Sequence, residues 1–392
     1  MLRLLLVLLC SVFMLVPALA QASHPVPTHH DPTLSVHAFQ LQELDRHKRE
    51  LAFRVANALK NEAFRDFVQS RIEHDGDAQA LVTLAHDYAQ VFPGKRAAEL
   101  ATYVDQLDLQ IRNAKGTSSY VAELLQVRLY LPEGLSLKNN APALVAFEPS
   151  GDDQTWTAIE AFDQNGNARL LDAAVAPQEP VLIVGLDAKA DLQAGLALLN
   201  DAFQAAGVQQ PTARRDAARK ADVATHKLDK IRLEDDQEPW ISGDAEVYAI
   251  VNGVHPSEMK ANITATGMPY LDDDEKNYYP NQILIFWDQY RYQAANIVLM
   301  EQDDNTNYQE LAALLVSAVA RVMATFPETA PYAGLVDLAG EIIRAMPASW
   351  FTNDDDYLDV YYTIEKNRAY TDWNGASGNA RITLKPYTLR QN

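Results

Sequence analysis

The hydrophobic periodicity of the chain changes near residue 143, and this change constrains the fold more than any other feature. From about residue 37 to residue 112, apolar residues recur every three or four positions, as at Leu51, Val55 and Leu59. This spacing puts them on one face of a helix and predicts several amphipathic helices packed together. From Ala143 onward, short β-rich runs replace the helical pattern. The sequence therefore predicts an α+β protein of more than one domain, with its helices first.

A small sheet is predicted next to these helices. Ala143–Phe147 and Val181–Leu186 are short apolar runs typical of buried strands. Between them, Ala158–Asp163 and Ala168–Leu171 flank Gln164–Asn167. The Asn-Gly pair in this connection tolerates the positive φ angles of a tight turn, so a β-hairpin is expected.

The C-terminal part of the chain has clearer strands. They are Lys227–Leu233, Glu246–Val251, Gln282–Trp287, Ala295–Met300, Tyr357–Glu365 and Ala380–Leu384. Two apolar stripes at helical spacing interrupt them, bounded by Pro327, Pro331 and Pro347. This pattern predicts an antiparallel β-sandwich with an inserted helical hairpin. We interpret the hairpin as a cover on the sandwich core; a hairpin that inserts into lipid is the alternative.

The start of the chain has the layout of a cleavable secretory signal. Arg3 is the only charge before the apolar run Leu4–Val16, which ends in Pro17 and the small-residue triplet Ala18–Ala20. The run is shorter than the ~20 apolar residues that a permanent helical anchor needs. The single cysteine, Cys10, lies inside this segment, so no thiol is expected in the exported chain. We therefore expect a secreted or periplasmic protein.

These patterns divide the chain into segments. Pro25, Pro27 and Pro32 mark an unstructured lead-in after the signal, and the Arg/Lys/Ala-rich stretch Arg214–Lys220 marks a linker. The predicted segments are a signal peptide at 1–20, a disordered lead-in at 21–36, a helical and small-sheet domain at 37–190, a linker at 191–224, and an acidic β-sandwich at 225–392 with a helical insertion at 308–346.

Acidic residues dominate the composition, with 53 Asp and Glu against 33 Lys and Arg and a formal net charge of -20. A surface of this charge repels phosphate backbones and anionic lipid head groups. We therefore expect no nucleic-acid partner and no strong binding to anionic membranes. Cations are the natural partners, and a protein or surface partner stays unidentified.

Four acidic segments lie beside the C-terminal strands: Glu234–Glu238, Asp272–Glu275, Glu301–Asn305 and Asn353–Asp356. Like charges about 4 Å apart repel by ~1 kcal/mol in water and by ~4 kcal/mol near a protein surface. Loops that gather several carboxylates therefore need compensation. Calcium accepts six to eight oxygen ligands in a flexible geometry, whereas magnesium requires a tight octahedron. Because these segments contain no His or Cys, zinc and copper are disfavoured.

The sequence thus predicts calcium as the bound ion. The alternative is that each segment is a separate solubilising loop. No segment has the EF-hand pattern, since none places Gly sixth and Glu twelfth after a starting Asp. The predicted metal ligands are Asp235, Asp236, Glu238, Glu246, Asp303, Asp304, Asp354, Asp355 and Asp356.

The order of these segments resembles that of a C2 domain. Leu233–Asp236, followed after a turn by Ala245–Ile250, is similar to the first calcium loop of that family and the strand after it. Ile297–Asp304 is similar to the strand that enters the last calcium loop, and Asp354–Val360 to the end of that loop. The resemblance implies a C2-like, calcium-binding C-terminal domain.

Three further motifs, Glu238–Gly243, Tyr279–Gln282 and Glu301–Tyr308, carry a resemblance that covers the whole exported chain. They are similar to an uncharacterised family of secreted proteobacterial proteins, known only as a domain of unknown function. This resemblance implies no activity. It implies that the helical part and the acidic β part occur together.

No catalytic motif is recognisable in the sequence. The His-Glu-x-x-His, Gly-x-Ser-x-Gly and glycine-rich phosphate-loop patterns are all missing. A serine relay in the C-terminal part would have to use His226, for example with Ser242, or His255. We therefore predict a calcium-binding protein with a binding or envelope-associated role and no catalysis. The alternative is a metal-dependent hydrolase that uses the same acidic segments.

Overall fold

The computed structural model describes most of the chain as seven α-helices and fourteen β-strands in three sheets. For residues 32–43 it describes the backbone alone. The described residues are 32–137, 144–149, 156–209, 222–234, 240–242, 246–302, 306–346 and 357–390. The predicted signal peptide lies outside them. Among these residues, no helix has the length and apolar character needed to cross a bilayer.

Four helices form the first layer, as the periodicity predicts. Asn61 caps α2 by accepting a hydrogen bond from the Ala63 amide, and Gly116, in a left-handed conformation, ends α4. Leu51, Val55 and Leu59 are buried in the core of this layer, as the periodicity indicates. The helices are α1 (Pro32–Ala58), α2 (Glu62–Asp75), α3 (Leu81–Val91) and α4 (Lys95–Lys115).

The first sheet has six strands in the order β1-β2-β6-β3-β4-β5 and packs against α1, α2 and α3. β3 and β6 are parallel, and the other neighbours are antiparallel. The predicted hairpin joins β4 and β5, with Gly166 at a φ of 79°. The strands are β1 (Ala78–Ala80), β2 (Leu125–Tyr130), β3 (Leu144–Phe147), β4 (Ala158–Asp163), β5 (Ala168–Asp172) and β6 (Val181–Leu186).

A fifth helix, α5 (Ala188–Ala205), follows β6 and extends into the predicted linker at 191–224. Asp187 caps it by accepting a hydrogen bond from the Ala190 amide at 2.9 Å. Leu199 and Phe203 of α5 are buried in a core that also contains residues of the C-terminal sheets. The stretch Arg214–Lys220 lies outside the described residues, so the domain boundaries stay a prediction.

The C-terminal half contains two four-stranded antiparallel sheets, ordered β10-β7-β14-β13 and β12-β11-β8-β9. Ile231 and Leu384 of the first sheet share one core with Val251 and Ile297 of the second, so the sheets lie face to face as a β-sandwich. The strands are β7 (Val223–Leu233), β8 (Val247–Val254), β9 (Ala261–Gly267), β10 (Gln282–Phe286), β11 (Ala294–Glu301), β12 (Tyr357–Glu365), β13 (Tyr370–Asn374) and β14 (Ala380–Leu389).

The helical insertion covers the other face of the β12-β11-β8-β9 sheet. It consists of α6 (Tyr308–Ala324) and α7 (Pro331–Ala345). Leu315 and Leu338 of these helices are buried together with Ile250 and Val298 of the sheet. The α+β class, the β-sandwich and the helical hairpin over it are confirmed.

Candidate functional site

The residues that flank the four acidic segments meet at one end of the β-sandwich. Leu233 ends β7, Val247 begins β8, Gly267 ends β9, Glu301 ends β11 and Tyr357 begins β12. We call the end of the sandwich marked by these five residues the acidic end. Each acidic segment enters or leaves a strand there.

The strand register fixes this convergence. Val247 is the cross-strand partner of Glu301, and Tyr357 is the partner of Met300. The segment that follows β9 is held at the same end, because the amide of Glu275 donates to the carbonyl oxygen of Leu233 at 2.8 Å. The strand ends that flank the four acidic segments are far apart in sequence, but they are neighbours in the structure.

Glu246 is the one predicted calcium ligand that lies among the described residues. It is half-buried, and its carbonyl oxygen accepts a hydrogen bond from the amide of Gln302 at 3.1 Å. The described part of the chain holds no group of three or more His, Cys, Asp or Glu side chains suited to a metal ion. The ligand set stays a prediction. The ligands outside the described residues are Asp235, Asp236, Glu238, Asp303, Asp304, Asp354, Asp355 and Asp356.

The second acidic segment, Asp272–Glu275, has cations of its own. Lys189 of α5 lies 3.7 Å from Asp272. Lys276 and the hydroxyl of Tyr278 both donate to the carboxylate of Asp273, and the Lys276 hydrogen bond contributes most to lowering the pKa of that carboxyl. Protein cations therefore already compensate part of this segment.

A buried polar cluster lies beneath the acidic end, where the helical part meets the sandwich. The ammonium of Lys115 is 2.9 Å from Oδ2 of Asp191, and Nε2 of Gln302 donates to the same oxygen at 2.6 Å. The side chains of Lys115 and Asp191 are only 5% and 0% exposed. We call these three residues the Lys115–Asp191–Gln302 cluster. A buried ion pair is stable only if further hydrogen bonds support it. Here Gln302 supplies such a hydrogen bond to Asp191.

Three elements position this cluster. Lys115 is the last residue of α4, Asp191 lies in the first turn of α5, and Gln302 follows β11. The ring of Tyr308, at the start of α6, lies 5.8 Å from the ammonium of Lys115. This ring packs directly on Gly195, where any side chain would overlap it. The glycine therefore permits the close approach of α5 and α6 that encloses the cluster.

Sequence reasoning missed the Lys115–Asp191–Gln302 cluster, although one signal was present. Lys115 comes four residues after Ile111 and so continues the buried stripe of α4. Asp191 lies four residues before Gly195 and eight before Leu199, so it belongs to the buried stripe of α5. A charged residue in line with an apolar stripe indicates a buried ion pair, but one sequence does not reveal its partner.

His226 does not have the environment that a serine relay needs. It is fully buried; its Nδ1 accepts a hydrogen bond from Nε1 of Trp287 at 2.8 Å, and its Nε2 lies 2.7 Å from the carbonyl oxygen of Arg368. Burial lowers the pKa of the imidazole. Because both ring nitrogens are engaged, neither is available to activate Ser242.

Asp359 is a buried carboxylate of β12 with a structural role. It accepts hydrogen bonds from the amides of Val360 and Ala380 at 2.8 Å and of Ser377 at 2.9 Å. These donors come from its own strand, from the turn between β13 and β14, and from the first residue of β14. The carboxylate thus holds that turn against β12.

Comparison with known proteins identifies a family but no activity. The model of the family described as "Protein of unknown function (DUF3103)" matches residues 48–392. This match spans most of the chain, which therefore belongs to that family. No curated protein and no solved structure matches the chain.

Proposed function

We propose that this member of the DUF3103 family is a secreted or periplasmic protein that binds calcium at the acidic end of its β-sandwich. Its role would be binding or envelope-associated rather than catalytic. The observation that carries the proposal is the convergence of the strands that flank all four acidic segments. Carboxylates delivered to one end of a sandwich repel one another, and a divalent cation relieves that repulsion.

Calcium suits this arrangement better than other metals. Its ligands here would come from separate connections, and calcium accepts six to eight oxygens at varied angles. The four segments offer carboxylate and amide oxygens but no imidazole or thiolate. Their order along the chain, and its resemblance to a C2 domain, further supports calcium. The net charge of -20 favours cation binding in general.

An extracytoplasmic location is consistent with this proposal. The apolar run Leu4–Val16 between Arg3 and Ala18–Ala20 supports a cleaved secretory signal. Calcium is plentiful outside the cytoplasm, where modules commonly bind it with dissociation constants of ~10⁻⁴ to 10⁻³ M. We expect an affinity in this range.

The test is a calorimetric titration of the chain from Gln21 onward with calcium and then with magnesium. Calcium at ~100 times its dissociation constant should stabilise the protein by ~2.7 kcal/mol. The double variant Asp303→Asn, Asp304→Asn should lose most of the binding heat and most of this stabilisation.

The matched control is Asp272→Asn, Asp273→Asn, which removes the same charge from a segment whose carboxylates contact lysines. It should bind calcium nearly as the unmodified chain does. The proposal fails if calcium produces neither heat nor a change in melting temperature, or if the two double variants behave alike.

A further inference from the structure

We propose that Asp191 and Gln302 form a buried cation subsite, and that in this structure the ammonium of Lys115 occupies it. Lys115 would then be a tethered competitor of the divalent cation. The inference rests on the proposed function, because the competing ion is the one bound at the acidic end. It goes further in naming residues that hold the ion and in linking ion binding to the helical part of the protein.

The first support is the position of the cluster. The backbone amide of Gln302 donates to the Glu246 carbonyl oxygen at 3.1 Å. This hydrogen bond lies one residue beyond the pairing of Glu301 with Val247. The side chain of Gln302 in turn holds Oδ2 of Asp191 at 2.6 Å. A chain of direct contacts therefore runs from the acidic end to the buried carboxylate.

The second support is a buried oxygen that is not satisfied within the described part of the chain. Gln302 is 8% exposed, and its Oε1 has no hydrogen-bond partner among the described residues. Nε2 of the same amide contacts Asp191, so the unsatisfied oxygen belongs to a side chain of the cluster. Carboxylate and amide oxygens are the ligand types that calcium prefers, and a buried oxygen without a partner is costly to keep.

The third support is the occupant. Lys115 places a single positive charge 2.9 Å from Oδ2 of Asp191, with the ring of Tyr308 alongside. The ammonium of Lys115 satisfies one carboxylate oxygen. It supplies only one charge, and the side chain of α4 that carries it limits where that charge can lie. A divalent ion brings twice the charge and more coordination positions, so it competes for the same oxygens.

Competition between Lys115 and calcium predicts the direction in which each substitution changes the calcium affinity. The charge of Lys115 opposes entry of a second cation, so removing that charge should raise calcium affinity even though it breaks an ion pair. Removing the charge of Asp191 should lower the affinity. When the ion enters, Lys115 loses its contact with Asp191, and the last turn of α4 before Gly116 becomes less protected.

The experiment compares calcium affinity, measured by calorimetry, in the unmodified chain and in Lys115→Gln, Asp191→Asn and Lys189→Gln. Lys115→Gln should bind calcium about tenfold more tightly, because a nearby positive charge is gone. Asp191→Asn should bind more weakly. Lys189→Gln is the matched control: Lys189 is 48% exposed and 3.7 Å from Asp272, so solvent screens it and affinity should stay within about twofold.

Hydrogen exchange of the unmodified chain keeps the inference testable if Lys115→Gln does not fold. Saturating calcium should speed exchange of the amides at residues 112–117 and leave those of α2 unchanged. No calcium-dependent change at 112–117 would overturn the inference.

The calorimetric outcomes separate the two proposals. If the unmodified chain binds calcium and Lys115→Gln binds it equally or less tightly, the inference is wrong and the proposed function stands. Equal tightening in Lys115→Gln and Lys189→Gln would show a general charge effect and also overturn it. If the unmodified chain binds no calcium, the proposed function fails and the inference fails with it.

Discussion

The carboxylate of Asp359 lies so close to Gly375 that a side chain at residue 375 would overlap it. Asp359 belongs to β12, whereas Gly375 begins the turn between β13 and β14, so this contact joins the two sheets of the sandwich. The carboxylate accepts hydrogen bonds from the amides of Ser377 in that turn and of Ala380, the first residue of β14. The buried carboxylate of Asp359, beside the acidic end, therefore has a structural role: it connects the two sheets.

Replacement of Asp359 by Asn should destabilise the protein by about 2–3 kcal/mol. The amide has one oxygen where the carboxylate has two, so at least one buried backbone donor loses its acceptor. Denaturant unfolding measures the loss. Asp372→Asn is the control, because Asp372 is 49% exposed and pairs with Lys230 at the surface. A loss for Asp372→Asn equal to that for Asp359→Asn would contradict the structural role of Asp359.

Two glycines in helices should respond to alanine in opposite directions. At Gly195, a Cβ would overlap the ring of Tyr308, so Gly195→Ala should separate α5 from α6 and lower the free energy of unfolding by about 1–3 kcal/mol. At Gly340, a Cβ would make only ordinary contact with Arg344. Gly340→Ala should therefore stabilise α7 by about 0.5–1 kcal/mol. Thermal melting of both variants tests this; a stabilised Gly195→Ala protein would contradict the packing of Tyr308.

The buried His226 should make stability depend on pH. Burial lowers the pKa of its imidazole below the value of about 6.5 that the unfolded chain has. Between those two pKa values the unfolded state binds more protons, so the stabilisation is present above about pH 6.5 and is lost as the pH falls further.

The variant His226→Gln isolates this effect. At pH 7.5 it should be less stable by about 1–3 kcal/mol, because Trp287 or Arg368 loses a buried hydrogen-bond partner. The difference from the unmodified chain should shrink on going to pH 5.5. His255, whose pKa burial also lowers, is common to both proteins and cancels in the comparison. A difference that does not change with pH would contradict the assignment.

Local patterns were sufficient to predict much of the fold. The helical stripe through Leu51, Val55 and Leu59 is buried as predicted, and the Asn165-Gly166 turn joins two paired strands. Such features depend on residues close in sequence, whose spacing or backbone preference fixes the structure. The helical insertion was visible for the same reason.

Four strands, β1, β2, β9 and β13, were not predicted. Of these, β9 and β13 do not resemble isolated strands. Ala261–Gly267 consists of small and polar residues around a single isoleucine, yet it pairs along its whole length with β8. Tyr370–Asn374 is short and includes Asp372 at a positive φ. Neighbouring strands and not local preference make these segments β-structure.

The candidate site was predictable only in part. The clustering of acids in four segments is visible in the sequence, but their convergence depends on strand register, for example on the pairing of Val247 with Glu301. The contact of Lys115 with Asp191 depends on the docking of α4 against α5. A single sequence does not show which distant residues pair. Its only signal here is a charged residue within an apolar stripe.

The most direct test of calcium binding at the acidic end is the anomalous scattering from crystals of the chain grown with calcium. We expect an ion beside Glu246 and Gln302, held by carboxylate oxygens from at least two of the four acidic segments. Data that show no ion at the acidic end, in crystals grown at calcium concentrations of about 10 mM, well above the expected dissociation constants, would contradict this expectation.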